Sequence, residues 1–181
     1  MIGVIALITV PDLIRSSDRM RLRVAGSEAS RIFTIARSYA VLHSTHVGVK
    51  FHPGRGGEPT TWTLHRDGDG DGVRTADIRR GDDPPVPGPG GGDHRLARFG
   101  ATRLGFPPGP LPRDPGGRRL TRRNDPIRFN RSDIASFGPL GTSTPGSLYL
   151  TDGRNLAAVR VTNRTGRVRV LIYDADAGEW R

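Results

Sequence analysis

Cysteine is absent from the 181-residue chain, and lysine occurs once, at Lys50. Without cysteine the chain has no disulfide, no thiolate metal ligand and no cysteine nucleophile. Only 34% of the residues are apolar, whereas glycine accounts for 25 residues and proline for 15. This balance predicts a modest core with long loops, and the length suits one domain with an extended appendage.

Acidic residues are fewer than basic ones, which gives a formal net charge of +10. A basic chain invites a nucleic acid or an anionic lipid as partner. However, every basic residue except Lys50 is arginine, and with abundant glycine, proline and alanine this is typical of GC-rich coding. The positions of the arginines are therefore more informative than their number.

Sequence signatures of an active site are also missing. The chain has no HExxH zinc motif, no GxSxG nucleophile turn and no Walker-type phosphate loop. The five histidines show no metal-ligand spacing: His43, His46, His52, His65 and His94. The sequence therefore predicts a structural or binding protein and not an enzyme.

The chain opens with the apolar stretch MIGVIALITV, which ends at Pro11. A membrane-spanning helix needs about 20 apolar residues, and a secretory signal needs a basic segment before its apolar core. Neither pattern fits. The stretch is a core helix or strand, an interfacial anchor, or the end of a longer hydrophobic helix.

Residues 11 to 42 show helical periodicity. The apolar side chains recur at steps that keep them on one face of a helix: Leu13, Met20, Val24, Ile32, Ile35, Tyr39 and Leu42. Arg15, Arg19 and Arg23 recur every four residues on a shared face. That face is either simply solvated or in contact with lipid head groups beside a membrane.

The rest of the chain predicts short strands separated by loops. Alternating apolar residues mark HVGVKF (46–51), TWTLHR (61–66), IRFN from Ile127, SLYLTD, LAAVRV and GRVRVLIYD. Residues 67–126 consist mainly of Asp, Gly, Pro and Arg and predict irregular or mobile loops, with the Gly/Pro-rich part at about 80–126. The predicted fold is α+β: a long N-terminal amphipathic helix (1–43) packed on a small, mostly antiparallel sheet within a β-rich domain (44–181).

The stretch DGDGDGVRTAD (67–77) has the carboxylate spacing of the first half of an EF-hand loop. Asp67, Asp69 and Asp71 alternate with glycine, and Gly72 follows. The closing carboxylate of an EF-hand belongs at the twelfth position, which is Ile78, and Asp77 stands one residue early. The stretch is therefore either a calcium site formed by Asp67, Asp69, Asp71 and Asp77 or an Asp/Gly-rich turn between strands.

The last hairpin, LAAVRVTNRTGRVRVLIYD, concentrates arginine on one face. Alternation that turns Val159, Val161, Val168, Val170 and Ile172 to the core places Arg160, Arg167, Arg169, Leu171 and Tyr173 on the other face, with Arg164 in the turn. No acidic residue lies between Gly153 and Tyr173. Like charges on facing strands are unfavourable. The arrangement indicates either an anionic partner, which arginine binds well, or a soluble arginine-rich sheet face.

Three segments together resemble the minor pseudopilins of type II secretion and type IV pilus systems, the GspH/FimT family. Residues 4–42, VIALITVPDLIRSSDRMRLRVAGSEASRIFTIARSYAVL, are similar to the end of the pilin hydrophobic helix and its amphipathic continuation. WTLHRDGDGDGVRTADI resembles a stretch that follows the second strand in that family. FGPLGTSTPGSLYLTDG and AAVRVTNRTGRVRV are similar to its final strands.

The resemblance implies a pilin-like fold whose N-terminal helix packs in membranes and filaments, here through Ile2, Val4, Ile5, Leu7, Ile8 and Pro11. Met1 is then expected to be an internal or mis-assigned start. The implied location is the bacterial inner membrane, as a single-pass protein with its globular domain in the periplasm. The implied partners are other pilins or pseudopilins and the secretion or pilus machinery, with no cofactor needed.

The resemblance leaves two functions open. The leading expectation is a structural subunit that acts through protein contacts. The alternative is a DNA-binding minor pilin, because the family branch linked to DNA uptake has a G-R-x-R motif that Gly166–Arg169 match. In that case Arg160, Arg164, Arg167 and Arg169 would contact DNA phosphates.

Overall fold

The computed structural model describes residues 2–54, 60–88, 91–96, 102–162 and 165–181, with side chains from residue 17 onward. The elements in chain order are α1 (Ile2–Leu42), β1 (Val47–His52), β2 (Thr61–Arg66), α2 (Thr75–Arg80), β3 (His94–Arg95), β4 (Arg103–Leu104), β5 (Ile127–Arg128), β6 (Ile134–Phe137), β7 (Gly146–Thr151), β8 (Leu156–Val161), β9 (Val168–Asp174) and β10 (Glu179–Trp180).

The 41-residue helix α1 dominates the N-terminal part of the chain, and it runs through Pro11 without interruption. At 1.5 Å per residue its length is about 60 Å. It ends at Leu42, and Ser44 then adopts a left-handed backbone with φ 49°. Among the residues described, no helix contains a stretch long and apolar enough to cross a bilayer.

The strands form two antiparallel sheets. The first sheet has the order β3-β2-β1-β6, and the second has the order β10-β9-β8-β7-β4, with β5 also paired to β7. The predicted α+β class, with one N-terminal helix and antiparallel strands, is confirmed. The strands lie in two sheets and not in the single sheet that was expected.

Helix α1 joins the two sheets through one core centred on Phe33. The Phe33 ring lies 5.9 Å from that of Phe51 on β1 and 6.1 Å from that of Phe137 on β6, both in the first sheet. It lies 5.4 Å from Phe129, which follows β5 of the second sheet. All four phenylalanines are buried, so α1 fixes the two sheets relative to each other.

The face of α1 that packs on the sheets differs from the predicted stripe. Its buried side chains are mostly small: Leu22, Ala25, Ala29, Ile32, Phe33, Ala36 and Ala40. Of the predicted stripe residues whose side chains are described, only Ile32 and the half-buried Tyr39 contact this core. Small side chains occupy much of this face because they let the helix backbone approach the strands closely. At Gly26 a Cβ atom would lie 2.6 Å from Val170 Cγ1 on β9.

The described residues between 67 and 126 are largely irregular, as predicted, but they bury more apolar side chains than their composition indicated. Phe106 and Leu120 are buried against Tyr149, on the face of the second sheet opposite α1. Trp180 helps to hold this segment, because its indole N–H donates to the carbonyl of Arg113 at 2.9 Å. A few anchoring side chains therefore pack a segment that lacks regular structure.

Candidate functional site

The described part of α1 carries an exposed apolar surface. Its members are Met20 (64% exposed), Val24 (42%), Ile35 (50%) and Leu42 (78%). At 3.6 residues per turn the four positions fall within an arc of about 60°, on the side of the helix away from the sheets. We refer to these four residues as the outer stripe.

All four residues of the outer stripe belong to the apolar stripe predicted from the sequence, but they face solvent and not the core. Scattered apolar residues on a surface are normal, whereas an aligned row of large ones marks an interaction surface. The row spans 23 residues of helix, from Met20 to Leu42, or about 33 Å at 1.5 Å per residue. This length suits contact with another elongated element better than contact with a small ligand.

The predicted membrane and filament residues lie before the outer stripe in α1. The backbone of Ile2, Val4, Ile5, Leu7, Ile8 and Pro11 is helical, and their side chains lie outside the described residues. The same holds for the side chain of Arg15. Arg19 and Arg23 are exposed, which fits both a solvated face and lipid contact.

The β8–β9 hairpin has the predicted alternation. Val159, Val161 and Ile172 are buried in the core, and Val168 and Val170 pack against it from partly buried positions. Arg160 on β8 lies directly opposite Arg169 on β9. Arg160 and Arg169 are thus brought together on the face that points away from α1.

The hairpin arginines do not share one environment. Arg160 is half-buried and its guanidinium lies 4.0 Å from the carboxylate of Asp114, in the irregular segment over the second sheet. Arg167 and Arg169 are exposed, and neither forms an ion pair with any residue that the structure describes. Arg164 lies outside the described residues. Arg160 is therefore in a structural position, whereas Arg167 and Arg169 are accessible to a ligand.

A fourth arginine, Arg37 of α1, lies beside the turn that precedes β9. Gly166 has φ 73°, and a Cβ atom there would lie 3.1 Å from Arg37 Cδ. Between α1 and this turn is an open groove of about 730 Å³, lined by Arg37, Val41, Arg167 and Val168 among others. The turn thus places arginines from two distant segments along one groove.

The carboxylates of Asp67, Asp69 and Asp71 converge, with one oxygen of each within 4.8 Å of the others. Asp67 is buried and acts as the centre of the turn. Its Oδ1 accepts the N–H of Gly70 at 2.7 Å, and its Oδ2 accepts that of Gly72 at 2.9 Å. Burial acts to raise the pKa of Asp67, but these N–H groups outweigh burial and hold the pKa below its usual value.

An arginine compensates one of the three converging carboxylates. Asp71 pairs with Arg74. Asp77, the fourth predicted ligand, is not part of the converging group; it lies in α2, is buried and pairs with Arg80. The residues present thus supply three carboxylates and the glycine turn that calcium needs, but not the closing ligand. Calcium binding stays a prediction. The hydrogen bonds and ion pairs of this stretch equally suit a turn that leads into α2.

Sequence reasoning missed three features of these surfaces. Asp114 is far from β8 in sequence, and nothing local marks it as the partner of Arg160. Arg37 falls in a helical segment with many arginines, and only the fold brings it to Gly166. The outer stripe was found as a periodic pattern, but periodicity alone does not say which face of a helix meets a sheet.

Comparison of the chain with protein-family models, with curated proteins and with solved structures gave no match. The functional assignment therefore rests on the residues themselves.

Proposed function

We propose that this protein is a minor pseudopilin subunit of a type II secretion or type IV pilus assembly, with a pilin-like fold. The observation that carries the proposal is the outer stripe, a row of large apolar side chains on the outside of a helix of about 60 Å. The element that best covers the outer stripe is another long helix of the same kind. The protein would then act through contacts and not through catalysis.

Burial of apolar surface supplies the driving force for such assembly. Each square ångström removed from water contributes about 25 cal/mol, so a stripe of four large side chains with the apolar residues 2–10 before it favours helix bundling. Before assembly the same residues would lie in the bacterial inner membrane, with the β-rich domain in the periplasm. Other pilins or pseudopilins and the assembly machinery are the proposed partners.

Disulfide crosslinking tests this proposal cleanly, because the chain has no cysteine of its own. Ile35→Cys places a thiol in the outer stripe, and Arg154→Cys places one at an exposed site in the turn between β7 and β8. In cells with a complete secretion or pilus system whose pilin helices carry matching cysteines, oxidation should trap Ile35→Cys in adducts. Equal or absent crosslinking of the two variants would contradict the proposal.

A second candidate function, binding of duplex DNA during uptake, is favoured by Arg167 and Arg169, which are exposed and form no ion pair among the described residues, and by Arg37, which lines one groove with Arg167. Guanidinium groups bind phosphate oxygens bidentately, and the groove along the turn contains no acidic lining residue among those described. Such contacts would grip the DNA backbone without reading base sequence. Arg160 contributes less, because Asp114 already faces it.

Salt dependence decides this second function. The affinity should fall steeply as salt rises, with a slope set by the number of phosphates contacted. The double variant Arg167→Ala and Arg169→Ala should flatten the slope by about 2. The matched control is Arg118→Ala with Arg119→Ala, which removes the same charge from the irregular segment and should leave the slope near that of the parent. No binding at low salt, or equal effects of both pairs, would contradict DNA binding.

A further inference from the structure

A second concave site lies on the side of the first sheet that faces away from α1. It is a pocket of about 870 Å³ bounded by three separate segments. Lys50 comes from β1, Thr75 and Arg79 come from α2, and residues 130–133 form the turn before β6. It shares no residue with the outer stripe or with the arginine groove, so any role it has is independent of the proposed function.

Lys50, the only lysine of the chain, forms the inner wall of this pocket. Its side chain is half-buried, and its ammonium donates to the carbonyl of Ser132 at 2.8 Å. An ammonium has three N–H donors, and the described residues supply no other acceptor and no ion pair for Lys50. Burial lowers the pKa of Lys50, against the opposing effect of Asp133, and Arg79 lowers it further. The Lys50 ammonium therefore has fewer hydrogen-bond acceptors around it than it has N–H donors.

The remaining charges of the pocket leave a positive excess. Arg79 and Arg131 are exposed at the rim, and neither forms an ion pair among the residues described. Asp133 is the one acidic residue among those that line the pocket. Burial raises the pKa of Asp133, the ammonium of Lys50 lowers it, and the nearby Asp125 raises it again. Three cationic groups thus face one carboxylate.

The turn that closes the pocket is held in an uncommon conformation. Asn130 and Asp133 have φ 56° and φ 55°, in the left-handed region that residues other than glycine rarely adopt. Between them the Ser132 carbonyl accepts from Lys50 and, at 3.5 Å, from the Thr75 hydroxyl. Such conformations persist where surrounding contacts hold them, and they often occur at binding sites.

We propose that this pocket binds an oxyanion, either a phosphate or a carboxylate group, with the Lys50 ammonium as its principal contact and Arg79 and Arg131 as contacts at the rim. An anion there supplies the acceptors that the half-buried ammonium lacks, which removes the free-energy penalty of an incompletely paired charge. The two guanidinium groups suit the paired oxygens of either group.

The test is an NMR titration of the full chain in uncharged detergent, with inorganic phosphate and, separately, with acetate at constant ionic strength. We expect saturable shifts in the amide signals of residues 130–133. Lys50→Met should weaken binding at least about ten-fold, and Arg79→Gln should weaken it less. Tighter binding of phosphate than of acetate identifies the phosphate group as the ligand, and the reverse order identifies a carboxylate.

Arg154→Gln is the matched control, since it removes one exposed positive charge elsewhere and should leave the affinity unchanged. Should Lys50→Met fail to fold, Arg79→Gln with Arg131→Gln tests the same site from its exposed rim. Shifts that do not saturate with either anion, or that weaken equally in Arg154→Gln, would overturn the proposal. So would full retention of binding in both site variants.

Discussion

Arg160 on β8 lies directly opposite Arg169 on β9, and the Asp114 carboxylate lies 4.0 Å from the guanidinium of Arg160. Two facing cations are unfavourable across a strand pair, so Asp114 offsets a repulsion that the sequence builds into the hairpin. Asp114 also orders its own turn, because its Oδ1 accepts the N–H groups of Gly116 and Arg118, each at 2.8 Å.

Removal of the Asp114 charge should therefore destabilise the protein less than removal of its whole carboxylate. We expect Asp114→Asn to lower the free energy of unfolding by about 0.5–1 kcal/mol, because it loses a partly exposed ion pair. Asp114→Ala also leaves two N–H groups without an acceptor and should lower it by about 1–3 kcal/mol. Urea unfolding measures both values.

The contribution of Arg160 to this effect can be isolated by a double-mutant cycle. In an Arg160→Met background the repulsion with Arg169 is gone, and Asp114→Asn should then have almost no effect. An unchanged effect of Asp114→Asn in that background would show that Asp114 does not stabilise the hairpin through Arg160.

Because α1 lies close to β9, the effect of Gly26→Ala on the melting temperature should change sign when Val170 is shortened. Alanine favours a helix over glycine by about 1 kcal/mol, but in the native protein a Cβ atom here meets Val170 at 2.6 Å. Gly26→Ala should therefore lower the melting temperature of the parent and raise that of Val170→Ala. Thermal unfolding of the four proteins measures this, and a higher melting temperature for Gly26→Ala alone would contradict the described packing.

The Asp67 turn predicts a specific acid dependence. Because the pKa of Asp67 is lowered in the folded state, the ionised carboxylate stabilises the fold. That contribution is complete above the usual value of 3.8 and is lost as the pH falls through the lower folded-state pKa. Asp67→Asn should thus reduce the free energy of unfolding by about 1–3 kcal/mol at pH 7, with a difference that shrinks below about pH 4. A difference independent of pH would contradict this account.

The pairing of Asp71 with Arg74 and of Asp77 with Arg80 predicts little response to calcium. Since Arg74 compensates Asp71 and Asp77 is held by Arg80 away from the site, we expect the melting temperature to change by less than about 2 °C between chelator and millimolar calcium. Arg74→Gln should increase the response by exposing Asp71. A rise of many degrees in the parent protein would instead establish a calcium site at Asp67, Asp69 and Asp71.

Local patterns predicted the elements whose side chains alternate clearly, and long-range pairing explains those that were missed. TWTLHR forms β2 with the predicted bounds, and HVGVKF is β1 displaced by one residue. Residues 134–137, IASF, carry little strand signal of their own and become β6 because they pair with β1, with Ile134 opposite Lys50. The six-residue helix α2 was missed because it begins inside a turn-like segment.

The sequence predicted which residues form the candidate surfaces, but not whether each residue is buried or exposed in the fold. The hairpin alternation placed Arg169 opposite Arg160 as predicted, whereas Arg167 lies in the groove beside α1, and Arg160 pairs with Asp114, which is distant in sequence. For α1, the predicted periodicity left out Leu22 and Phe33, and it also left out the alanines that let the helix approach the sheets closely. The stripe expected to be a core face is therefore mostly an exposed surface.

The central claim is that the outer stripe becomes buried against other helices, and the rate of maleimide labelling of Ile35→Cys tests it most directly. The rate is measured for the purified chain in detergent and for envelopes from cells that carry the complete assembly, with Arg154→Cys as the exposed control. The account predicts at least about ten-fold slower labelling of Ile35→Cys in the envelopes, with Arg154→Cys unchanged. Equal rates for Ile35→Cys in both preparations would contradict it.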